Sequence, residues 1–343
     1  MQPFVIITTG RTGSDYLQAC LDSVGGVMTF SGTFDYHKYF KNGTEKKDKK
    51  ILVENFLNDY ENLFGYDYIE QIDKRIDKEN FKKNFLNISQ HGTLNRKDFI
   101  LNLYKSYHLT LGRKLENVKA FVHHAHSVYN TIRFLKDFPD SKILVTIRDP
   151  RANLKSGLKN WFDFDNERIH MEHVYNYLFR IRDDLRYVFS VKNEKLFIKL
   201  EEANNLETKN ILCKFLNINF DKKIMTATIA SIPWHGDRLS KEKSIKGEYM
   251  LSVQKDSWKS YFKLWEINFL NILYKDYQMF NYKFKKVYLR EKFVLLFLVI
   301  LPFSFEKQTF SNEKLNFKKK ISNIIYYLKR VIKSEMAILR ILK

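Results

Sequence analysis

A short loop near the start of the chain combines two glycines, an arginine and several hydroxyl residues. Its residues are Thr8, Thr9, Gly10, Arg11, Thr12, Gly13 and Ser14. The two glycines let the backbone approach a ligand closely, and the hydroxyl groups offer hydrogen-bond donors. The guanidinium of Arg11 adds a permanent positive charge with parallel N–H donors. This combination predicts a binding site for a phosphate or a similar oxyanion.

An apolar run precedes this loop, and a helical pattern follows it. Residues 4–7 are apolar and partly β-branched, which predicts a buried strand, and apolar residues from 16 to 24 recur at helical spacing. A loop between a strand and a helix offers free backbone N–H groups and the positive end of the helix dipole. Because Ser14 stands where a Walker A loop needs a lysine after Gly13, ATP-type phosphoryl transfer is disfavoured.

A second basic motif follows another predicted strand. Residues 142–147 predict the strand, Arg148 stands at its end, and Pro150 suits the first turn of a helix. Ser156 follows Arg148 after about two helical turns, so both side chains can bind one phosphate if it lies alongside. One phosphate at the first loop and another at this motif describe a nucleotide with two separated phosphates. The sulfate donor 3′-phosphoadenosine 5′-phosphosulfate (PAPS) is such a nucleotide.

Predicted strands alternate with predicted helices along much of the chain. Residues 118–123 and 195–200 predict further strands, and residues 207–216 predict a helix. The alternation predicts an α/β fold over residues 1–284, three-layered and P-loop-like, with a central parallel sheet and ligands outside the carboxyl ends of its strands. Residues 32–117 interrupt the pattern with polar and aromatic sequence, which predicts a helical insertion that caps the site or forms an acceptor groove.

The composition is compatible with several classes of function and does not select one. The formal charge of +20 over 343 residues would attract nucleic acid, an anionic membrane or acidic small substrates alike. Cys20 and Cys213 lie far apart without ligand spacing, so we expect no disulfide framework and no metal, and a reducing compartment. The sequence has no signal-peptide pattern and no run of eighteen apolar residues, which predicts a cytoplasmic protein.

The last part of the chain has a different character. Residues 285–343 hold 14 Lys or Arg against 4 Glu, a net charge of +10. Residues 293–305 are nearly all apolar but too few to span a bilayer, and residues 321–342 alternate apolar and basic residues at helical spacing. Two interpretations stay open for this basic helical tail. It contacts the inner face of the cell membrane peripherally, or it closes the core or an oligomer interface.

Two segments carry a resemblance to a known family. The loop with its following residues, Thr9-Gly10-Arg11-Thr12-Gly13-Ser14-Asp15-Tyr16-Leu17, resembles the 5′-phosphosulfate loop of PAPS-dependent sulfotransferases. The segment Ile147-Arg148-Asp149-Pro150-Arg151, with Ser156, resembles their 3′-phosphate motif. The resemblance implies that the chain transfers the sulfuryl group of PAPS to a hydroxyl, less readily an amine. Bacterial and archaeal carbohydrate-type members imply a sugar of a glycolipid or surface polysaccharide as the acceptor.

The resemblance also implies which residues contact the donor. They are Thr9, Gly10, Arg11, Thr12, Gly13, Ser14, Asp15, Tyr16, Arg148 and Ser156, with Lys246 and Gly247 in a loop similar to one that closes over the 3′-phosphate. Arg11 would supply the cation at the leaving oxygen. Asp15 is a departure, because many relatives have a second hydroxyl residue there and a carboxylate repels phosphate.

A histidine cluster follows the second predicted strand and supplies candidate bases. The cluster reads His123-His124-Ala125-His126, and on an extended chain His124 and His126 share one face. His126 precedes Arg148 by 22 residues, which resembles the spacing of the catalytic histidine in cytosolic members. His124 then resembles the position of a lysine that contacts the sulfuryl group, a role an imidazolium could partly take. Asp35 is the rival base, by resemblance to members that use a carboxylate after the first helix.

Two other classes of function remain open from the residues alone. A P-loop kinase of small molecules would bind ATP with magnesium, although the missing Walker lysine disfavours it. A basic nucleic-acid-binding protein would show interleaved aromatic and lysine residues and salt-sensitive binding. The two phosphate motifs favour the sulfotransferase, and we expect no nucleic acid partner.

Overall fold

The structure is a computed structural model. It describes residues 1–40, 45–64, 76–164, 170–234, 236, 256, 258–311 and 315–342. The predicted loop at Lys246 and Gly247 lies outside the described residues.

Contacts divide the chain into two compact units. Unit 1 contains Met1–Thr8, Thr12–Ile147 and Lys192–Ser252, and unit 2 contains Thr9–Arg11, Arg148–Val191 and Val253–Lys343. The predicted domain boundary at residue 284 stays a prediction.

The strands are short, and several helices separate them. The described strands are β1 (Gln2–Thr8), β2 (Val27–Met28), β3 (Lys47–Asp48), β4 (Thr93–Leu94), β5 (Ala120–His124), β6 (Lys142–Ile147), β7 (Lys195–Lys199), β8 (Thr228–Ile229) and β9 (Ile232–Pro233). The described α-helices are α1 (Ser14–Asp22), α2 (Lys49–Asp59), α3 (Lys78–Ile88), α4 (Arg96–Thr110), α5 (Val128–Asp137), α6 (Pro150–Phe164), α7 (Met171–Ser190), α8 (Leu206–Phe215), α9 (Leu264–Leu273), α10 (Leu289–Leu298), α11 (Lys307–Phe310) and α12 (Phe317–Leu342).

Unit 1 is built on a five-stranded parallel sheet. Its strand order is β2-β5-β1-β6-β7, and β1 pairs with β5 on one side and β6 on the other. Ile6 lies opposite His124, and Thr8 lies opposite Thr146. Because the strands are parallel, their carboxyl ends share one edge, where β1 runs into the glycine loop and β5 ends at the histidines.

Helices cover both faces of this sheet. Along β5, Ala120 and Val122 point to a core cluster that α1 and α8 complete. Phe121 points the other way, where its ring lies 5.9 Å from Phe134 and 5.3 Å from Phe138 of α5. Each fully buried side chain of this size stabilises the fold by about 1.5–3 kcal/mol. The predicted three-layer α/β fold with a central parallel sheet is therefore confirmed.

Helices α2, α3 and α4 lie within residues 32–117 and pack through aromatic rings. The Phe30 ring stacks on Tyr107 at 4.0 Å and meets Phe56 edge-on at 5.8 Å. Phe56 in turn stacks on Phe81 at 6.2 Å. Such ring pairs add about 0.5–1.5 kcal/mol each beyond their burial. The role of this region as an acceptor cap stays a prediction.

In unit 2, α12 is anchored by buried polar groups. The Arg330 guanidinium donates to both carboxylate oxygens of Glu306 at 2.7 Å, and both side chains are fully buried. Asn323 accepts from the Met171 N–H at 2.9 Å and donates to the Thr309 carbonyl at 2.9 Å. None of the described helices is long and apolar enough to cross a bilayer.

Candidate functional site

In unit 1, Thr12 ties the glycine loop to the sheet. Its hydroxyl lies 2.7 Å from the Thr8 hydroxyl at the end of β1 and 2.7 Å from the Thr146 hydroxyl of β6. All three residues are buried. The predicted loop began at Thr8, but Thr146 was not predicted as a site residue, since its contact with Thr12 depends on strand pairing. Its position beside the end of β6 is the signal that could have found it.

Gly13 begins the first helix in a conformation that requires glycine. Its φ of 82° is left-handed, and a Cβ there would lie 2.3 Å from Cδ1 of Leu200. Gly13 is the N-cap of α1, and no side chain caps that end. The first-turn N–H groups, beginning at the buried Ser14, therefore present the positive end of the dipole for an anion.

Tyr16 belongs to the core rather than to the open part of the loop. The side chain is 2% exposed, and its hydroxyl donates to Asn204 at 2.5 Å. Lys209 lies over the ring, 4.9 Å from its centroid. The structure thus places Tyr16 where it joins α1 to Asn204 and to Lys209 of α8.

In unit 2, Asn153 and Tyr177 hold the first half of the loop. The Arg11 N–H donates to Asn153 Oδ1 at 2.8 Å and to the Tyr177 hydroxyl at 3.2 Å. Asn153 also donates to the Thr9 carbonyl at 2.9 Å. Gly10 has φ 115°, and a Cβ there would lie 2.4 Å from the Tyr177 hydroxyl. Sequence reasoning missed both clamping residues, although Asn153 lies one turn into the helix that Pro150 opens.

The two predicted phosphate motifs meet in unit 2. Arg148 Nη1 donates to the Arg11 carbonyl at 3.4 Å, and both arginines are half-buried. Ser156 is half-buried on α6. The next arginine of the motif, Arg151, is buried and structural, because Asp149 binds it at 2.7 and 3.0 Å. Arg148 therefore lies beside the backbone of Arg11, and the binding of one ligand by both motifs stays a prediction.

The histidines at the end of β5 divide between the two faces of the sheet. His123 is buried among aromatic rings, with Nδ1 3.0 Å from the Tyr104 hydroxyl, and burial lowers its pKa to about 3. His124 lies on the α1 side, where Nδ1 is 2.9 Å from Gln18 Oε1. Burial, followed by the nearby His126, lowers the pKa of His124 well below its usual range. His124 is therefore a neutral imidazole near pH 7, which disfavours the expected imidazolium role.

His126 stands apart from the strand. Its φ is 58°, its side chain is exposed, and its ring centroid lies 5.5 Å from that of His124. The expectation that the two share one face of an extended run is wrong, because β5 ends at His124 and the chain turns left-handed at His126. The two rings are nevertheless neighbours, and His126 is the accessible one.

Asp15 lies beside this histidine pair. Its Oδ1 is 3.6 Å from Nδ1 of His124, and its side chain is 39% exposed. Asp15, His124 and His126 each offer one ligand atom, and these atoms lie within 4.8 Å of one another. Neutral imidazoles with a carboxylate form a donor set that suits Zn²⁺. The residue that the sequence left unexplained is thus a neighbour of the candidate base.

Asp35 is held in a separate polar cluster. Arg133 Nη1 donates to Asp35 Oδ2 at 2.9 Å, and the His37 N–H donates to Oδ1 at 3.0 Å. Burial raises the pKa of this carboxyl, but the His37 and Arg133 contacts outweigh it and lower the pKa to about 2. A carboxylate this acidic and this well paired is a poor proton acceptor near neutral pH.

Comparisons with known proteins give structural neighbours only. No family model and no curated protein matches the sequence. The sulfotransferase domain from the curacin biosynthetic pathway is 13% identical, covers 69% of this chain and 80% of its own, and has a TM-score of 0.42. The sulfotransferase domain from the Synechococcus PCC 7002 olefin synthase is 16% identical, covers 76% and 88%, and has a TM-score of 0.44. TM-scores below 0.5 do not establish a common fold, so any function has to rest on the site itself.

Proposed function

We propose that this chain is a PAPS-dependent sulfotransferase. It transfers the sulfuryl group of PAPS to a hydroxyl, less readily an amine, of an acceptor that is a sugar of a glycolipid or surface polysaccharide. The observation that supports it most is the proximity of the α1 N-terminus to the histidine pair, with Asp15 3.6 Å from His124 and His126 next to it. An anion-binding helix end beside an accessible imidazole is what transfer of an anionic group to a hydroxyl requires.

The donor would bind through backbone groups and two arginines. In this proposal the loop from Thr9 to Asp15 holds the 5′-phosphosulfate through its N–H groups, which Gly10 and Gly13 make accessible. Arg148 and Ser156 hold the 3′-phosphate. Thr12 stiffens the loop through its two hydroxyl partners.

The reaction is a displacement at sulfur. The acceptor oxygen attacks the sulfur atom, and the bond between sulfur and the 5′-phosphate oxygen breaks. The bonding electron pair stays with that phosphate oxygen, which leaves adenosine 3′,5′-bisphosphate. Arg11 stabilises the charge that grows on the leaving phosphate, and His126 takes the proton of the acceptor hydroxyl.

We assign the proton transfer to His126 rather than to Asp35. His126 is exposed, whereas Asp35 is paired with Arg133 and has a pKa of about 2. In this assignment Gln18 orients His124 by accepting its Nδ1–H, and Asp15 contacts the same ring. The neutral His124 then lines the site next to the base without competing for the proton.

The donor half of the proposal is tested by nucleotide binding. We expect Arg11→Ala and Arg148→Ala to weaken the affinity for adenosine 3′,5′-bisphosphate on the order of tenfold or more each, since each removes a charge-assisted contact. Arg186→Ala is the matched control, because Arg186 is 47% exposed on α7 and pairs with Asp276. Unchanged affinity in both loop-motif variants would overturn the proposal.

The acceptor half is tested by labelling. The protein is incubated with sulfur-35-labelled PAPS and extracts of its own host, and the lipid and polysaccharide fractions are counted. We expect label in one of these fractions and none with His126→Ala. Label only in other fractions would reject the glycan acceptor, and phosphate transfer from ATP with magnesium would support a kinase instead.

A further inference from the structure

The outward face of α12 is apolar. Its exposed apolar residues recur at intervals of three or four, with exposed fractions from 43% to 77%. They are Phe317, Ile321, Ile324, Leu328, Ile332, Met336 and Leu339. On an α-helix this spacing aligns them in one stripe, which we call the outer stripe.

The buried face of α12 includes polar residues. Asn323, Arg330 and Ser334 are at most 2% exposed, and their spacing of seven and four residues places them away from the outer stripe. Arg330 and Asn323 on this face form buried hydrogen bonds to other parts of unit 2. A helix of a globular protein normally buries its apolar side, whereas the described residues leave the outer stripe uncovered, as a docking surface would be.

Helix α10 shows the same exposure next to α12. Leu289, Phe293 and Phe297 follow one another at intervals of four and are 59%, 52% and 74% exposed. Lys292 from the same helix donates to the Ile341 carbonyl of α12 at 3.4 Å. Two neighbouring helices thus expose apolar rows that packing among the described residues leaves in contact with water.

A basic cavity adjoins the outer stripe. It has a volume of about 380 Å³ and is lined by α7 and α12. Its cationic lining residues are Arg182, Lys329, Lys333 and Arg340, and the stripe residues Ile332 and Met336 also line it. Asp183 partly balances this charge, since it binds both Arg182 and Lys333. A cationic cavity beside an apolar stripe is complementary to a phospholipid, whose phosphate adjoins its acyl chains.

We propose that the outer stripe and this cavity dock unit 2 on the surface of an anionic phospholipid membrane. The helix lies in the plane of the interface, with its apolar stripe among the acyl chains and a lipid phosphate at the cavity. The net charge of +10 on residues 285–343 adds long-range attraction to such a surface. This docking does not depend on the chemistry proposed above.

Vesicle flotation tests the stripe. The full chain is mixed with vesicles of equal parts phosphatidylcholine and phosphatidylglycerol, or of phosphatidylcholine alone. We expect binding to the anionic vesicles, weakened by salt, and a loss of about tenfold or more in Ile324→Gln/Leu328→Gln/Ile332→Gln. Equal binding by this variant would overturn the proposal, as would no binding by the wild-type chain.

The matched control removes exposed apolar residues elsewhere. Ile51, Leu206 and Ile211 are 59%, 57% and 47% exposed on α2 and α8. The variant Ile51→Gln/Leu206→Gln/Ile211→Gln makes the same number of apolar-to-Gln changes and should keep full binding. Loss of binding in this control would show that any exposed apolar residue suffices, and would also overturn the proposal.

The cavity gives a second and independent test. Lys329→Gln/Arg340→Gln should weaken binding to anionic vesicles by about tenfold or more, because each cation near the surface contributes about 1 kcal/mol. The exposed pair in Lys222→Gln/Lys223→Gln is the charge-matched control and should change binding little. Circular dichroism and thermal melts of every variant confirm folding. Equal losses in the cavity pair and the control pair would overturn the role of the cavity.

A second copy of the chain is the other occupant that the experiment distinguishes. Light scattering gives the molar mass of the wild-type chain and of the stripe variant without lipid. We expect the same mass for both. A dimeric wild type that ignores vesicles, with a monomeric stripe variant, would assign the stripe to self-association and overturn the membrane proposal.

Discussion

Asp15 Oδ1 lies 3.6 Å from His124 Nδ1, which joins the first turn of α1 to the end of β5. A carboxylate in an anion-binding loop repels a bound phosphate unless a cation or a hydrogen-bond donor compensates its charge. The nearby imidazole supplies no compensating charge, since burial keeps His124 neutral and its Nδ1 also lies 2.9 Å from Gln18 Oε1. Asp15 therefore marks the place where the loop and the candidate base come together in unit 1.

Replacement of the proposed base should separate the two candidates. We expect His126→Ala to lower turnover at saturating PAPS on the order of 10²–10⁴-fold, the usual contribution of a general base. Asp35→Asn should retain turnover, since that carboxylate is committed to Arg133. His91→Ala, an exposed histidine elsewhere, serves as control. Near-normal turnover in His126→Ala with inactivity in Asp35→Asn would reverse the assignment.

Alanine at Gly13 should damage both folding and nucleotide binding. The Cβ would meet Leu200 at 2.3 Å and force a left-handed backbone on a non-glycine residue, at a cost of about 1–3 kcal/mol. Gly112 has a similar φ of 72° with nothing within 4 Å of its Cβ position. The variant Gly112→Ala therefore measures the free energy lost to the left-handed backbone alone, without a steric clash. Denaturant melts should show a larger loss of unfolding free energy for Gly13→Ala. Titration with adenosine 3′,5′-bisphosphate should show weaker binding for that variant alone.

Burial of His123 should make the fold sensitive to acid. Its pKa falls from the ordinary 6.5 to about 3, so the unfolded chain takes up a proton that the native chain refuses. The contribution of His123 to the free energy of unfolding is therefore fully present above pH 6.5. It declines as the pH falls towards 3, by up to about 1.4 kcal/mol per pH unit. Urea melts across this window should show a shallower decline for His123→Gln. The same loss of unfolding free energy per pH unit in the wild type and the variant would show that His123 does not cause the acid sensitivity.

Metal ions should inhibit rather than support activity. Arg11 supplies the cation in the proposed chemistry, so we expect a chelator to leave turnover unchanged. Added Zn²⁺ should inhibit, because Asp15, His124 and His126 offer ligands within 4.8 Å of one another. Competition with a chromophoric chelator should show weaker zinc binding in Asp15→Asn and unchanged binding in Asp140→Asn, an exposed control. Loss of turnover on chelation would contradict this prediction.

Local patterns in the sequence predicted four of the five strands of the parallel sheet, the glycine loop and the helix that Pro150 opens, but not the two-residue strand β2. The buried strand before the loop and the glycine positions have strong local signatures, so β1, α1 and α6 lie where they were expected. Asn153 and Tyr177 were missed because they reach the loop only through tertiary packing. The pairing of Asp35 with Arg133 joins residues 98 positions apart and has no local sequence signal.

The conformation of the histidine cluster could not be read from periodicity. A run of apolar and aromatic residues shows that a strand exists, but not the residue at which it ends. The left-handed residue His126 comes two positions after the end of β5, where an alternating pattern would have continued. The sequence left open for a related reason whether the apolar row of α12 faces outward or inward. Periodicity shows that a helix has two faces, and only packing decides which of them is buried.

The buried pair of Arg330 and Glu306 has a practical consequence for anyone who wishes to shorten the chain. Trimming the hydrophobic end is the usual remedy for a protein that adheres to surfaces or aggregates. Here, removal of α12 would take away the cation that pairs with Glu306 and the side chain that accepts from the Met171 N–H, so it would damage the fold of unit 2. Solubility is better improved by replacing residues on the exposed side of that helix one at a time.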